Sequence, residues 1–222
     1  MRKITNNTFY EIEALHHYNI DVRNRELFLV GEHDLGTDDG DEPGVEFVMS
    51  SRFIRNLRYL VTLDSNAPIL IHMKTNGGIV PEGMAIFDAI KLCPCPVYIL
   101  NYTHARSMSS MILQAADWRV MMPNSYFMFH RGSYNTDGEY LQVCSEFDFY
   151  RKTDKMIDIY ADAIIQKAPP KWKGKTREQI KAIMNKEMDK KVDVFLTAQE
   201  TVEWGLADAI FEGDWDQLKQ AM

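Results

Sequence analysis

Five short apolar runs bounded by turn-forming residues constrain this chain more than any other feature: Leu27–Val30, Ile69–Met73, Val97–Leu100, Val120–Met122 and Phe127–Phe129. They do not alternate cleanly between apolar and polar, which is the pattern of strands covered on both faces. Helical periods lie between them. Phe47, Ile54, Leu57 and Val61 form a stripe predicted to pack on a core. Pro81 sits where a helix begins, and Met84, Phe87 and Ile90 follow at helical spacing. Strands and helices alternating in this way predict an α/β domain with parallel strands.

From Glu139 to Lys167 the chain is charged, helical in period, and carries Tyr150, Ile157, Tyr160 and Ile164 on one side. This predicts one long helix that projects and packs against another subunit. Ala168-Pro169-Pro170 ends it, and Lys171–Lys175 reads as a basic loop. Capping boxes at Thr176/Gln179 and Thr197/Glu200 start two later helices, and Gly205 closes the second. Asp34–Glu42, acid-rich with two glycines, reads as a solvated loop. There is no internal repeat. The organisation is then an N-terminal segment over residues 1–17, one domain over 18–210 with an appendage at about 139–167, and a C-terminal tail over 211–222.

Composition removes several classes. With 25 Lys and Arg against 32 Asp and Glu, the net charge of −7 argues against a nucleic-acid-binding surface. No stretch approaches the ~18–20 apolar residues of a membrane span, and Met1–Asn7 lacks the apolar region of a secretory leader. Cys93, Cys95 and Cys144 do not have the spacing of a metal knuckle and read as free buried thiols in a reducing cytoplasm. No metal or other cofactor is expected. The 13 methionines suit either adaptable packing or a sticky surface.

Two segments carry candidate chemistry. Asn76-Gly77-Gly78 follows the strand Ile69–Met73, where a glycine pair lets a backbone N–H face a ligand, though a plain turn also uses such a pair. It lacks the spacing of a nucleotide loop. Ser107 lies between the strand Val97–Leu100 and a short apolar helix. A serine there serves either as an N-cap or as a nucleophile lifted clear of the sheet, with amides at the helix start facing a developing oxyanion. A serine nucleophile needs a base. Of the six histidines, His16 and His17 lie in the N-terminal segment, His33 borders the acidic loop, His72 reads as structural within a strand, and His104 adjoins Ser107. His130, at the end of the strand Phe127–Phe129, has the favoured position.

Asn76-Gly77-Gly78, Ser107-Met108, Pro123–His130, Asp193–Ala198 and Glu203–Asp208 come in the order seen in the proteolytic subunit of the Clp protease, and over Tyr18–Ile210 the chain resembles that family. The resemblance implies a ClpP/crotonase-like ββα spiral with a protruding handle helix. It implies a catalytic Ser107, His130 and Asp193, and an oxyanion hole of the Gly78 and Met108 amides. Asp193 is assigned by the resemblance alone. Also implied are stacked heptameric rings forming a tetradecamer, unfolded polypeptide as substrate, an AAA+ Clp unfoldase as partner, and a cytoplasmic location. A non-catalytic ring subunit and a crotonase-type acyl-CoA enzyme are the other readings of the same fold. The chain departs from the family pattern at Arg106, at Ser109 in place of a glycine, and in having no proline before the glycine pair. A buried Arg106 needs an acidic partner or faces substrate.

Overall fold

In a computed structural model, residues 6–31, 44–132, 137–215 and 218 are described. The acidic loop, His33 and Met1–Thr5 lie outside them. The elements run α1 (Asn6–Tyr18), β1 (Ile20–Asp21), β2 (Glu26–Val30), α2 (Phe47–Leu63), β3 (Ile69–Thr75), α3 (Val80–Lys91), β4 (Val97–Arg106) and α4 (Met108–Leu113). They continue with β5 (Trp118–Met121), β6 (Tyr126–Phe129), α5 (Tyr140–Thr153), α6 (Met156–Lys167), a 3-10 turn (Pro170–Trp172), α7 (Arg177–Lys191), β7 (Val194–Thr197), α8 (Ala198–Trp204) and β8 (Ala209–Ile210).

The α/β expectation holds: β2, β3, β4, β5 and β8 are neighbours in a parallel sheet, and β1 is added antiparallel at one edge. Alternate residues face two clusters. Ile69, Ile71 and Met73 of β3 and Val97, Ile99 and Ala105 of β4 join the main core beneath the helices. Leu70, Leu100 and Val120 join a smaller cluster on the other face, with Tyr98, Trp118 and Phe211. Burial on both faces is why these strands read as unbroken apolar runs.

The ten-residue β4 branches the sheet. Its first half pairs with β5, from Tyr98 to Asn101, and its last residues pair with β6, from His104 to Arg106. The apolar run predicted only Val97–Leu100. The strand continues through Asn101, Thr103 and His104 because pairing with β3 and β6 supplies the backbone bonds whatever the side chains. Antiparallel β7 then adds to β6, with Phe129 opposite Val194.

Two expectations need correction. In α2 the buried positions are Met49, Ser50, Phe53, Leu57 and Leu60, whereas Phe47 is 67% exposed and Ile54 and Val61 only flank the core. The inward face shares Leu57 with the predicted stripe but is turned toward Phe53 and Leu60. It carries Ser50, which donates to the Glu82 carboxylate on α3. The segment Glu139–Lys167 is two helices, not one. Asp154 caps α5 in an extended conformation, and its carboxylate accepts from the Met156 N–H at 3.0 Å, restarting the chain as α6. Tyr160 and Ile164 are buried on α6, while the described side chains of α5 all keep exposure. The N-terminal segment, for which no element was expected, is helical from Asn6 and carries a Glu13–His17 pair at 3.2 Å.

Local signals held elsewhere. Both capping boxes form, and Gly205 ends α8 at φ 79°. His72 is a satisfied buried histidine: its nitrogens lie 3.0 Å from the Tyr102 hydroxyl and 3.1 Å from the Glu26 carboxylate. The cysteines are free, but only Cys95 is fully buried. Burial pushes the half-buried Cys93 thiol up to about 11, and Cys144 is exposed on α5.

Candidate functional site

Three strand ends meet where the sheet branches. Arg106, the last residue of β4, stands opposite Met128 of β6, so the residues after these strands, Ser107 and His130, emerge side by side. The antiparallel β6–β7 register brings the start of β7, and Asp193 before it, to the same edge. His130 Nε2 lies 2.9 Å from Ser107 Oγ, and His130 Nδ1 lies 3.1 Å from Asp193 Oδ1. A carboxylate at Nδ1 keeps the proton on that nitrogen and leaves Nε2 as an acceptor for the serine proton.

Ser107 has φ 53° and ψ −125°, a region that costs a non-glycine residue about 1–3 kcal/mol. Its amide donates to the Met128 carbonyl at 3.1 Å, and its side chain makes no capping bond. The N-cap alternative therefore fails, because the hydroxyl points to His130. Ser109 steadies the turn: its hydroxyl donates to the Arg106 carbonyl at 2.7 Å and accepts from the Arg106 N–H at 2.8 Å. That is the local use of a serine where the family pattern has glycine. Arg106 itself is half-buried, and no carboxylate among the described residues pairs with it.

The glycine pair reaches the same turn from β3. Val45 N–H donates to Gly77 O at 2.6 Å, and Ile79 N–H donates to Val45 O at 2.8 Å. In this parallel pairing the Gly78 N–H points to the edge away from Val45. Met108 opens α4, so its N–H has no acceptor within the helix. Gly78, the adjacent Ser107 and Met108, His130 and Asp193 are thus gathered from four separate turns. Sequence reasoning missed the steric part of Gly77, for which a glycine pair at a strand end was the visible signal.

Beside Ser107 a cleft of about 330 Å³ is lined by residues of α3, α4, α5, α6 and α7. Five of the 13 methionines line it: Met84, Met108, Met111, Met156 and Met188. This places much of the methionine count in adaptable lining around one cleft. The exposed cations Arg131, Arg151 and Lys155 border it, and Arg131 pairs with Asp189 of α7 at 2.6 Å. A serine hydroxyl against an imidazole, two backbone N–H groups at neighbouring turns and an apolar cleft are the kinds of parts that acyl transfer requires. Among the described residues no group of three His, Cys, Asp or Glu is arranged to hold a metal ion, and no helix is long and apolar enough to cross a membrane.

Comparison with known proteins gives a consistent picture. The model of the Clp protease family matches residues 42–214. The chain is also similar to the ATP-dependent Clp protease proteolytic subunit 2 of Treponema denticola, with 29% identity over 164 residues, 73% of this chain and 75% of that protein.

Proposed function

The chain belongs to the Clp protease family, and on that premise we propose that it is a serine endopeptidase cleaving unfolded polypeptides through Ser107, His130 and Asp193. The observation that carries the reading is the continuous contact from Ser107 Oγ to His130 Nε2 and from His130 Nδ1 to Asp193. His130 takes the Ser107 proton as the hydroxyl attacks a peptide carbonyl. The Gly78 and Met108 N–H groups receive the oxyanion. His130 then protonates the leaving amine, and a water molecule, deprotonated in turn by His130, hydrolyses the acyl-enzyme. The apolar, methionine-lined cleft would take the side chain on the acyl side.

Assembly belongs to the same proposal. Tyr140, Leu141, Phe147 and Phe149 of α5 are 60–80% exposed, a large apolar surface for one helix. We place it between stacked rings of a spiral-fold subunit, the role foreseen for the handle. Substrate would then arrive unfolded, delivered by an AAA+ Clp unfoldase.

A fluorophosphonate probe tests the chemistry. Labelling that maps to Ser107 and disappears in His130→Ala supports the reading. Native protein that stays unlabelled while a control serine protease reacts overturns it. Light scattering tests the assembly, which a stable monomer contradicts.

A further inference from the structure

A chain of buried hydrogen bonds that starts far along the sequence ends on the peptide unit carrying the Met108 N–H. The Ser107 carbonyl accepts two hydrogen bonds, from the Ser110 N–H at 3.0 Å and from the Ser110 hydroxyl at 2.5 Å. The Ser110 oxygen also lies 2.5 Å from the hydroxyl of Tyr160, on α6. Proton counting fixes the direction of this chain. A carbonyl only accepts, so the single Ser110 proton goes to Ser107 O, and the Tyr160 O–H must be the donor to Ser110 Oγ. The relay therefore runs Tyr160 O–H to Ser110 O–H to Ser107 C=O.

Both side chains are fully buried. The Tyr160 ring is wedged against Phe127 and Phe129, with centroids 5.6 and 5.9 Å away. Burial holds the Tyr160 hydroxyl well above its ordinary range, so it stays a donor wherever the protein is folded.

The end of the relay matters because the Ser107 C=O and the Met108 N–H belong to one peptide unit. Among the described residues no peptide bond is cis. In a planar trans peptide the two groups point in opposite directions, so anchoring the oxygen aims the N–H. Hydrogen bonds donated to the carbonyl also polarise the amide and make its N–H a better donor, an effect that grows along a chain of bonds. The strained φ/ψ combination of Ser107 makes this turn costly to hold, and the Ser110 hydroxyl bonds its carbonyl.

We propose that Tyr160 and Ser110 are positioning residues that aim and polarise the Met108 N–H toward the oxyanion, tying turnover to the seating of α6. The proposal rests on the protease reading above and adds to it two side chains that touch neither substrate nor reacting atoms. Their action is on the transition state, where the charge develops, and not on substrate binding.

The test compares wild type with Tyr160→Phe, Ser110→Ala and the double variant, using a fluorogenic peptide amide, a peptide aldehyde and the matching peptide alcohol. The aldehyde adds to Ser107 and places an oxyanion in the hole, whereas the alcohol binds without one. Each single variant is expected to lose about tenfold to a hundredfold in kcat, short of a deleted donor, with KM within about twofold. Aldehyde affinity should fall in the same proportion and alcohol affinity should stay. The double variant should be no worse than the worse single variant, because the relay acts as one unit. Variants with wild-type kcat, or with kcat and alcohol affinity lost together, overturn the proposal. If Tyr160→Phe fails to assemble, Ser110→Ala decides. Fluorophosphonate labelling run alongside separates the two failures: unlabelled wild type overturns the protease reading and this one with it, whereas labelled wild type beside fully active variants overturns the relay alone.

Discussion

A Cβ placed on Gly77 would stand 2.8 Å from the Met108 amide nitrogen and 2.6 Å from the Arg106 carbonyl oxygen. Gly77 also has φ +96°, where a side chain is strained whatever the space. The glycine thus lets the β3 turn press directly on the backbone of the β4–α4 turn. Gly77→Ala has to push the two turns apart, and the atoms that would yield are backbone. A displacement near 1 Å at reacting groups costs on the order of a hundredfold in rate. We expect Gly77→Ala to assemble but lose at least that factor in kcat, measured on a fluorogenic peptide. Activity within threefold of wild type would show that the contact does not set the site.

Of Ser107 and His130, Asp193 touches only His130, at Nδ1, so its effect should pass through the histidine. Asp193→Asn offers a donor or an acceptor to that nitrogen and permits the tautomer whose Nε2 carries the proton. Such a ring cannot accept from Ser107. The expected loss in kcat is about 10²–10⁴, toward the lower end because the Asp193 side chain is 45% exposed and water can partly replace it. KM should hold. A fluorophosphonate labelling rate equal to wild type in Asp193→Asn would remove Asp193 from the mechanism.

How far these parts could be read from the chain follows how local their signals are. His130 sits where a short apolar run ends and Ser107 just before an apolar helix, signals written in a few neighbouring residues, although the end of β4 at Arg106 was not. Asp193 is brought to His130 by the antiparallel pairing of β7 with β6, a contact between distant segments that no local period encodes. Only resemblance selected it. Gly77 acts through the absence of an atom against a turn elsewhere in the chain, so its local sequence offers no measure of the fit. The break between α5 and α6 was hidden for a different reason. The helical period continues across it, and the interruption depends on the Asp154 carboxylate taking the Met156 N–H. The inward stripe of α2 was ambiguous because Phe53 and Ile54 are adjacent, and packing against α3 decides between them.

Arg25 holds the connection between α2 and β3. Its guanidinium donates to the carbonyls of Pro68, Leu60, Asp64 and Ala67 at 3.0–3.1 Å. The planar fork spans several acceptors at once, which a single ammonium cannot do. Arg25→Lys should therefore cost about 1–3 kcal/mol, seen as a drop in melting temperature of several degrees for a chain of this size. Unchanged melting of the lysine variant would mean the carbonyls find water equally good.

Asp208 gives the acid limb of stability a specific origin. Burial disfavours its charge, but the Arg119 guanidinium, with help from Lys167, outweighs burial and holds the carboxyl below its ordinary value of 3.8. Arg119 Nε and Nη2 both reach it at 2.9 Å, and Lys167 Nζ at 2.9 Å. Because the folded value is the lower one, the stabilisation is present above about pH 4 and disappears as pH falls through the folded value. Other carboxylates held low, such as Asp158 and Glu187, are more exposed and screened, so they add less. Asp208→Asn leaves Arg119 buried without its partner and should cost about 3–5 kcal/mol at neutral pH. Denaturant titrations of both proteins should show that difference steady from pH 7 to about 4 and narrowing below it, as wild type loses what the variant never had. A gap that stays constant down to pH 2.5 would place the acid sensitivity elsewhere.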